Sequence, residues 1–166
     1  MNPFRLPWFI KKYHKNKPIV RALTTGEIDL ANSIFGNLID YGTVKIINCP
    51  YAPWQPENIF IAPNGFIFVG DRHYRDDYSA HGRAYQQIFI HEMTHVMQYQ
   101  HGINVLWHGA ILQALYYLTF KKYNPYHYVF DEHKDFWDYN IEQQGKIAEH
   151  IYLGWCKNVI CQNNKQ

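Results

Sequence analysis

No stretch of this 166-residue chain reaches eighteen consecutive apolar residues, which excludes a transmembrane helix. Cysteine is scarce. Cys49, Cys156 and Cys161 stand at irregular spacing and make neither a disulfide framework nor a zinc ribbon, so they read as free thiols of a protein made in a reducing cytoplasm. Methionine is limited to Met1, Met93 and Met97. The N-terminus lacks the unbroken apolar core of a signal peptide, because Pro3, Arg5 and Pro7 interrupt it. Acid is absent from the first 21 residues, which carry Arg5, Lys11, Lys12, Lys15, Lys17 and Arg21; after them ten basic residues face fourteen acidic ones. A basic arm thus precedes a mildly acidic body. That distribution is not the continuous basic face of a nucleic-acid binder, and no nucleic-acid partner is expected.

What is present is apolar and aromatic. Hydrophobic residues at 47% and aromatics at 17% specify a packed chain rather than a disordered one. The length suits one domain with one core, here residues 23–166, after an aromatic and basic arm over residues 1–22. Thr24 and Glu27 form a capping box that opens a helix carrying Ile28, Ala31, Ile34, Phe35 and Leu38, which ends at Gly36 or Gly42. Residues 44–47 read as a short strand. Residues 58–62 and 66–69 flank Pro63-Asn64-Gly65 and read as a hairpin. Residues 110–120 read as a core helix, and 140–158 as a final helix with a seam of Ile141, Gly145, Ala148, Tyr152, Trp155 and Val159. The fold class is α+β: a small, mostly antiparallel sheet packed on a zincin-like core of two helices.

The chemistry concentrates in His91-Glu92-Met93-Thr94-His95. Residues 84–101 contain no proline or glycine, so they form one helix ending at Gly102. Histidines four apart share a face and can hold one Zn2+ between them. Glu92 lies about 100° round the helix from His91, where a carboxylate can take a proton from an attacking water. This HExxH pattern is that of zinc metallopeptidases.

Two histidines do not complete such a site; a third protein ligand is needed. His101 has the metzincin spacing, but Gln98 stands where that motif requires glycine, and no methionine follows Met97 to form a Met-turn. Glu142 and Glu149 share the last helix, two turns apart, so only one can be a ligand. Gly145 lets helices approach closely just after Glu142. The favoured set is therefore His91, His95 and Glu142, with Glu149 hydrogen-bonded to a ligand histidine; Glu149 and His101 remain alternatives.

Five segments carry a resemblance: LTTGEIDLANSIFG, IDYGTVKI, APNGFIFV, FIHEMTHVMQYQ and YNIEQQGKIAE. In that order they resemble small bacterial zinc-metallopeptidase-like proteins associated with Vgr and Rhs elements of type VI secretion, and related DUF4157-type toxin domains. The similarity runs from about Arg21 to Tyr152. It implies a gluzincin-like site of His91, His95, catalytic Glu92 and a glutamate from the last helix. In that pattern Lys146 stands where a further acid is usual, so the supporting acid must come from elsewhere, with Glu149 the candidate. It also implies an effector or toxin that leaves the cytoplasm through a secretion machine, with a Vgr or Rhs component or an immunity protein as partner.

The expected activity is zinc-dependent hydrolysis of a protein or peptide. Stabilising the oxyanion needs a second electrophile, and His133 and Tyr139, in the aromatic segment 124–137 and just beyond it, are the candidates. A zinc-stabilised adaptor or cargo protein of a secretion complex is the competing class. Glu92 separates the two, because a purely structural site has no use for it.

Overall fold

Thr24 opens the first helix as the sequence predicts. Its hydroxyl accepts the Glu27 N–H at 3.1 Å, and the Glu27 carboxylate accepts the Thr24 N–H at 2.9 Å. The computed structural model describes residues 18–52, 55–56, 58–131 and 133–161. Their order is β1 (Val20–Ala22), α1 (Thr25–Phe35), β2 (Lys45–Asn48), β3 (Ile67–Val69), α2 (Arg83–Gln100), α3 (Val105–Leu118) and α4 (Ile141–Tyr152). This is an α+β arrangement of four α-helices and a three-stranded sheet. No described helix is long and apolar enough to cross a membrane.

The sheet is mixed rather than mostly antiparallel. β1 pairs antiparallel with β2, and β2 pairs parallel with β3. The expected hairpin shrinks to a single bridge between Ile61 and Phe68, and the hydrogen bonding explains why. Extending that ladder toward the turn would require an N–H from Pro63, which has none. Extending it the other way would require the Ile59 N–H, which instead bonds Pro56 O at 3.1 Å.

Most of the predicted basic arm, residues 1–17, lies outside the described residues. Its predicted end at Ala22 falls inside the sheet, so the body begins earlier. The reason is Arg21. Its guanidinium grips the buried Glu27 carboxylate through two 2.7 Å contacts, and Glu27 also accepts the Tyr78 N–H at 2.8 Å. One buried acid thus ties β1, α1 and the 71–82 loop together.

The core gathers Phe35, Val44 and Ile46 against Phe89, Ile90, Met93 and Met97 of α2 and Ile147 and Ala148 of α4. The most extensive helix pairing among the described residues is α2 with α4. Asn140 caps α4, accepting the N–H groups of Glu142 and Gln143 at 3.0 and 2.9 Å. The helix ends at Tyr152, six residues before the predicted limit. Gly154 takes a left-handed φ of 74° there, and Trp155 leaves the seam for solvent. α3 departs further from expectation. It starts at Val105 under an Asn104 cap, and only Val105 and Leu112 are buried, so it is a surface helix and not a core one.

Candidate functional site

α2 and α4 cross where Gly145 faces His91, and that crossing builds the site. His91 Nε2 lies 3.2 Å from His95 Nε2 and 3.3 Å from Glu142 Oε2; His95 Nε2 lies 3.7 Å from the same oxygen. Three donors held 2.0–2.2 Å from one tetrahedral ion would stand roughly 3.3–3.6 Å apart. The three atoms therefore already mark a face of a tetrahedron, and they form the one cluster of this kind among the described residues.

Each histidine has its other ring nitrogen fixed. His91 Nδ1 is 2.8 Å from Glu149 Oε1, and Lys146 Nζ donates to Glu149 Oε2 at 2.7 Å. Lys146, which occupies the position of an expected acid, thus orients the acid that supports His91. His95 Nδ1 meets Gln98 Oε1 at 2.8 Å. The Gln98 amide donates onward to Ile141 O at 3.0 Å and to Gln144 Oε1 at 2.8 Å, and Gln144 donates to Tyr139 O at 2.8 Å. With both Nδ1 atoms engaged as donors, both Nε2 atoms face Glu142, donating to it when protonated and free to bind a metal once those protons leave.

The cluster is tuned to hold positive charge. Burial lowers the His91 pKa, but the hydrogen bonds to Glu142 and Glu149 prevail and push it up to about 10. Burial works against the Glu142 carboxylate, yet its bonds to His91 and His95 hold it well below the usual carboxylate range. Glu92 differs from both. It is buried, burial raises its pKa against the lowering charges of His95 and His91, and its Oε2 has no hydrogen-bond partner among the described residues. A buried, unpaired carboxylate oxygen beside three convergent donors is costly unless another group completes the site.

The effector domain of Pseudomonas aeruginosa VgrG2b superposes on the chain with a TM-score of 0.75; the two are 42% identical, over 88% of this chain and 82% of that domain. The chain belongs to the VgrG2b effector-domain family. It is also 46% identical over 134 residues, 80% of its length, to the type VI secretion system spike protein VgrG2b of P. aeruginosa, of which it spans 13%. These relatives support a type VI secretion effector. No family model matches the chain.

In this member of the VgrG2b effector-domain family, two residues expected at the site are elsewhere. The Tyr139 hydroxyl accepts the Asp131 N–H at 3.0 Å and donates to Val129 O at 3.3 Å, so it braces its own loop. His133 is exposed on the turn after Asp131, whose side chain accepts its N–H. His101 closes its own helix, donating from Nδ1 to Met97 O at 2.9 Å. Tyr126 is the tyrosine that stands beside His91 instead. Its ring centroid is 6.4 Å from that of His91. Burial first, then the charges of Glu142 and Glu92, push its pKa up to about 12. No spacing rule points to Tyr126, which a loop delivers. Gln98 was findable, since it lies three residues after His95 on the same helix face.

Proposed function

We propose that the chain is a zinc-dependent metallopeptidase effector of type VI secretion, with a gluzincin-like site and a zincin-like pairing of α2 and α4. His91, His95 and Glu142 would hold the ion. The supporting observation is the coincidence of their tetrahedral spacing with the unpaired Glu92 Oε2 beside them. Zinc in such a site supplies a Lewis acid that polarises a carbonyl oxygen and makes a water a nucleophile at neutral pH.

The remaining work falls to the chain. Glu92 Oε2 takes the proton of the attacking water and returns it to the departing amine; burial makes this carboxylate a stronger base than one in water. Tyr126 stays protonated through the physiological range and offers its hydroxyl to the developing oxyanion. This role replaces the expectation for His133 and Tyr139. Glu149 and the Gln98–Gln144 pair keep the two imidazoles in register. The substrate is a protein or peptide. Delivery would use a Vgr- or Rhs-type component, as in the spike protein relative, and a producing cell would need an immunity partner.

A structural zinc adaptor is the weaker reading, because it leaves Glu92 buried without a task. The experiment is peptide hydrolysis by the wild type and by Glu92→Gln, with zinc content measured in both. The reading requires zinc in both proteins and hydrolysis only in the wild type. Equal activity, or zinc lost with Glu92, would refute it.

A further inference from the structure

α3 is a surface helix with the composition of a buried one. Over residues 102–130 the only Asp, Glu, Lys or Arg side chains are Lys121 and Lys122. Leu106, Trp107, Ile111, Leu115, Leu118 and Phe120 are all more than 40% exposed, Leu118 at 76% and Phe120 at 88%. A helix that is apolar on its solvent side is covered by something when it works. Phe120 and Lys121 both take left-handed backbone angles, φ 53° and 66°, conformations unusual for side chains of this size. They turn the chain so that an exposed aromatic ring is followed at once by two exposed lysines.

From this we infer that α3 and the turn after it dock on an anionic lipid bilayer, with the helix lying in the interface. Fourteen residues make about 21 Å, too short to span the hydrocarbon core but suited to lying in its boundary. Trp107 and the Tyr-rich end of the helix fit the headgroup level, and Lys121 and Lys122 fit lipid phosphates. The charges favour lipid over protein. The stretch carries no arginine and no acid, so a second copy meeting it face to face would leave the lysines unpaired. The same stretch carries Tyr126, so a docked α3 would bring the mouth of the His91 site close to the membrane surface. Lipid binding itself does not depend on hydrolysis.

The test is co-sedimentation of the full chain with vesicles containing about one-third phosphatidylglycerol, against pure phosphatidylcholine vesicles. Binding to the anionic vesicles is expected, with Leu115→Ser/Leu118→Ser/Phe120→Ser weakening it at least about tenfold. Lys121→Gln/Lys122→Gln should weaken it about fivefold per lysine. Circular dichroism should be unchanged in both variants; if the serine variant unfolds, the lysine variant decides. Three results would overturn the inference: no vesicle binding by the wild type, binding that neither variant weakens (attachment by residues 1–17), or a concentration-dependent dimer abolished by the serine substitutions without vesicle binding.

Discussion

A Cβ on Gly145 would stand 2.6 Å from Cε1 and 2.7 Å from Nδ1 of His91. Glycine here sets how closely α4 can approach the HExxH helix, and with it the reach of Glu142. Gly145→Ala must push the helices apart or rotate His91. It should lower zinc affinity at least about tenfold and destabilise the fold by about 1–3 kcal/mol. A chelator competition and a thermal melt measure both, and an alanine variant with wild-type values would show that the close approach is incidental.

The three glutamates should separate by role. Glu142→Ala should lose zinc as completely as His95→Ala. Glu149→Ala, which frees His91 Nδ1 and Lys146 but removes no donor from the tetrahedral face, should weaken zinc only about 10–100-fold. Glu92→Gln should leave affinity near that of the wild type. Isothermal titration ranks the four, and a larger loss at Glu149 than at Glu142 would exchange their roles.

The metal-free protein should have its own pH window. Glu142 has a depressed pKa, so its contribution is present above the unfolded value of about 4.3 and fades as pH falls further. His91 is raised to about 10, so its contribution is full below the unfolded value of about 6.5 and is lost as pH rises through about 10. The apo chain should therefore be most stable between about pH 4.3 and 6.5 and weaken through the alkaline side. Zinc must displace these protons, so its affinity should rise with pH, and binding should release protons that calorimetry in two buffers can count. Apo stability that climbs steadily above pH 7 would contradict the assigned cluster.

Arg21→Ala should destabilise the chain by about 3–5 kcal/mol, because it strands the buried Glu27 carboxylate that joins β1, α1 and the 71–82 loop. Denaturant unfolding of the variant and of an Arg21→Ala/Glu27→Gln double variant would measure it. The double variant should recover part of the loss, and a fully tolerated Arg21→Ala would mean that the clasp adds nothing.

The sequence disclosed what depends on local spacing. The capping box at Thr24, the shared face of His91 and His95, and the small residue at Gly145 are relations within one turn or two, and the structure places all of them as read. Helix spacing set Glu149 two turns from Glu142 and left it to a ligand histidine; that this histidine is His91 came from the structure. What stayed hidden depends on partners far along the chain. Arg21 looked like one more arm charge until Glu27 met it. The 58–62 strand scored well on composition but lost the Ile59 N–H to Pro56 and had no N–H at Pro63. Tyr126 reaches the site because Asn140 and Gln143 hold its loop, donating to Pro125 O and His127 O at 3.1 and 2.7 Å, which no periodicity announces. α3 misled because apolar composition normally means burial.

The most direct measurement is diffraction from crystals of the chain at the zinc absorption edge. One anomalous peak is expected, 2.0–2.2 Å from His91 Nε2, His95 Nε2 and Glu142 Oε2, with Glu92 Oε2 facing the remaining position. No peak after zinc addition, or a peak liganded by Glu149 or His101 in place of Glu142, would contradict the assignment.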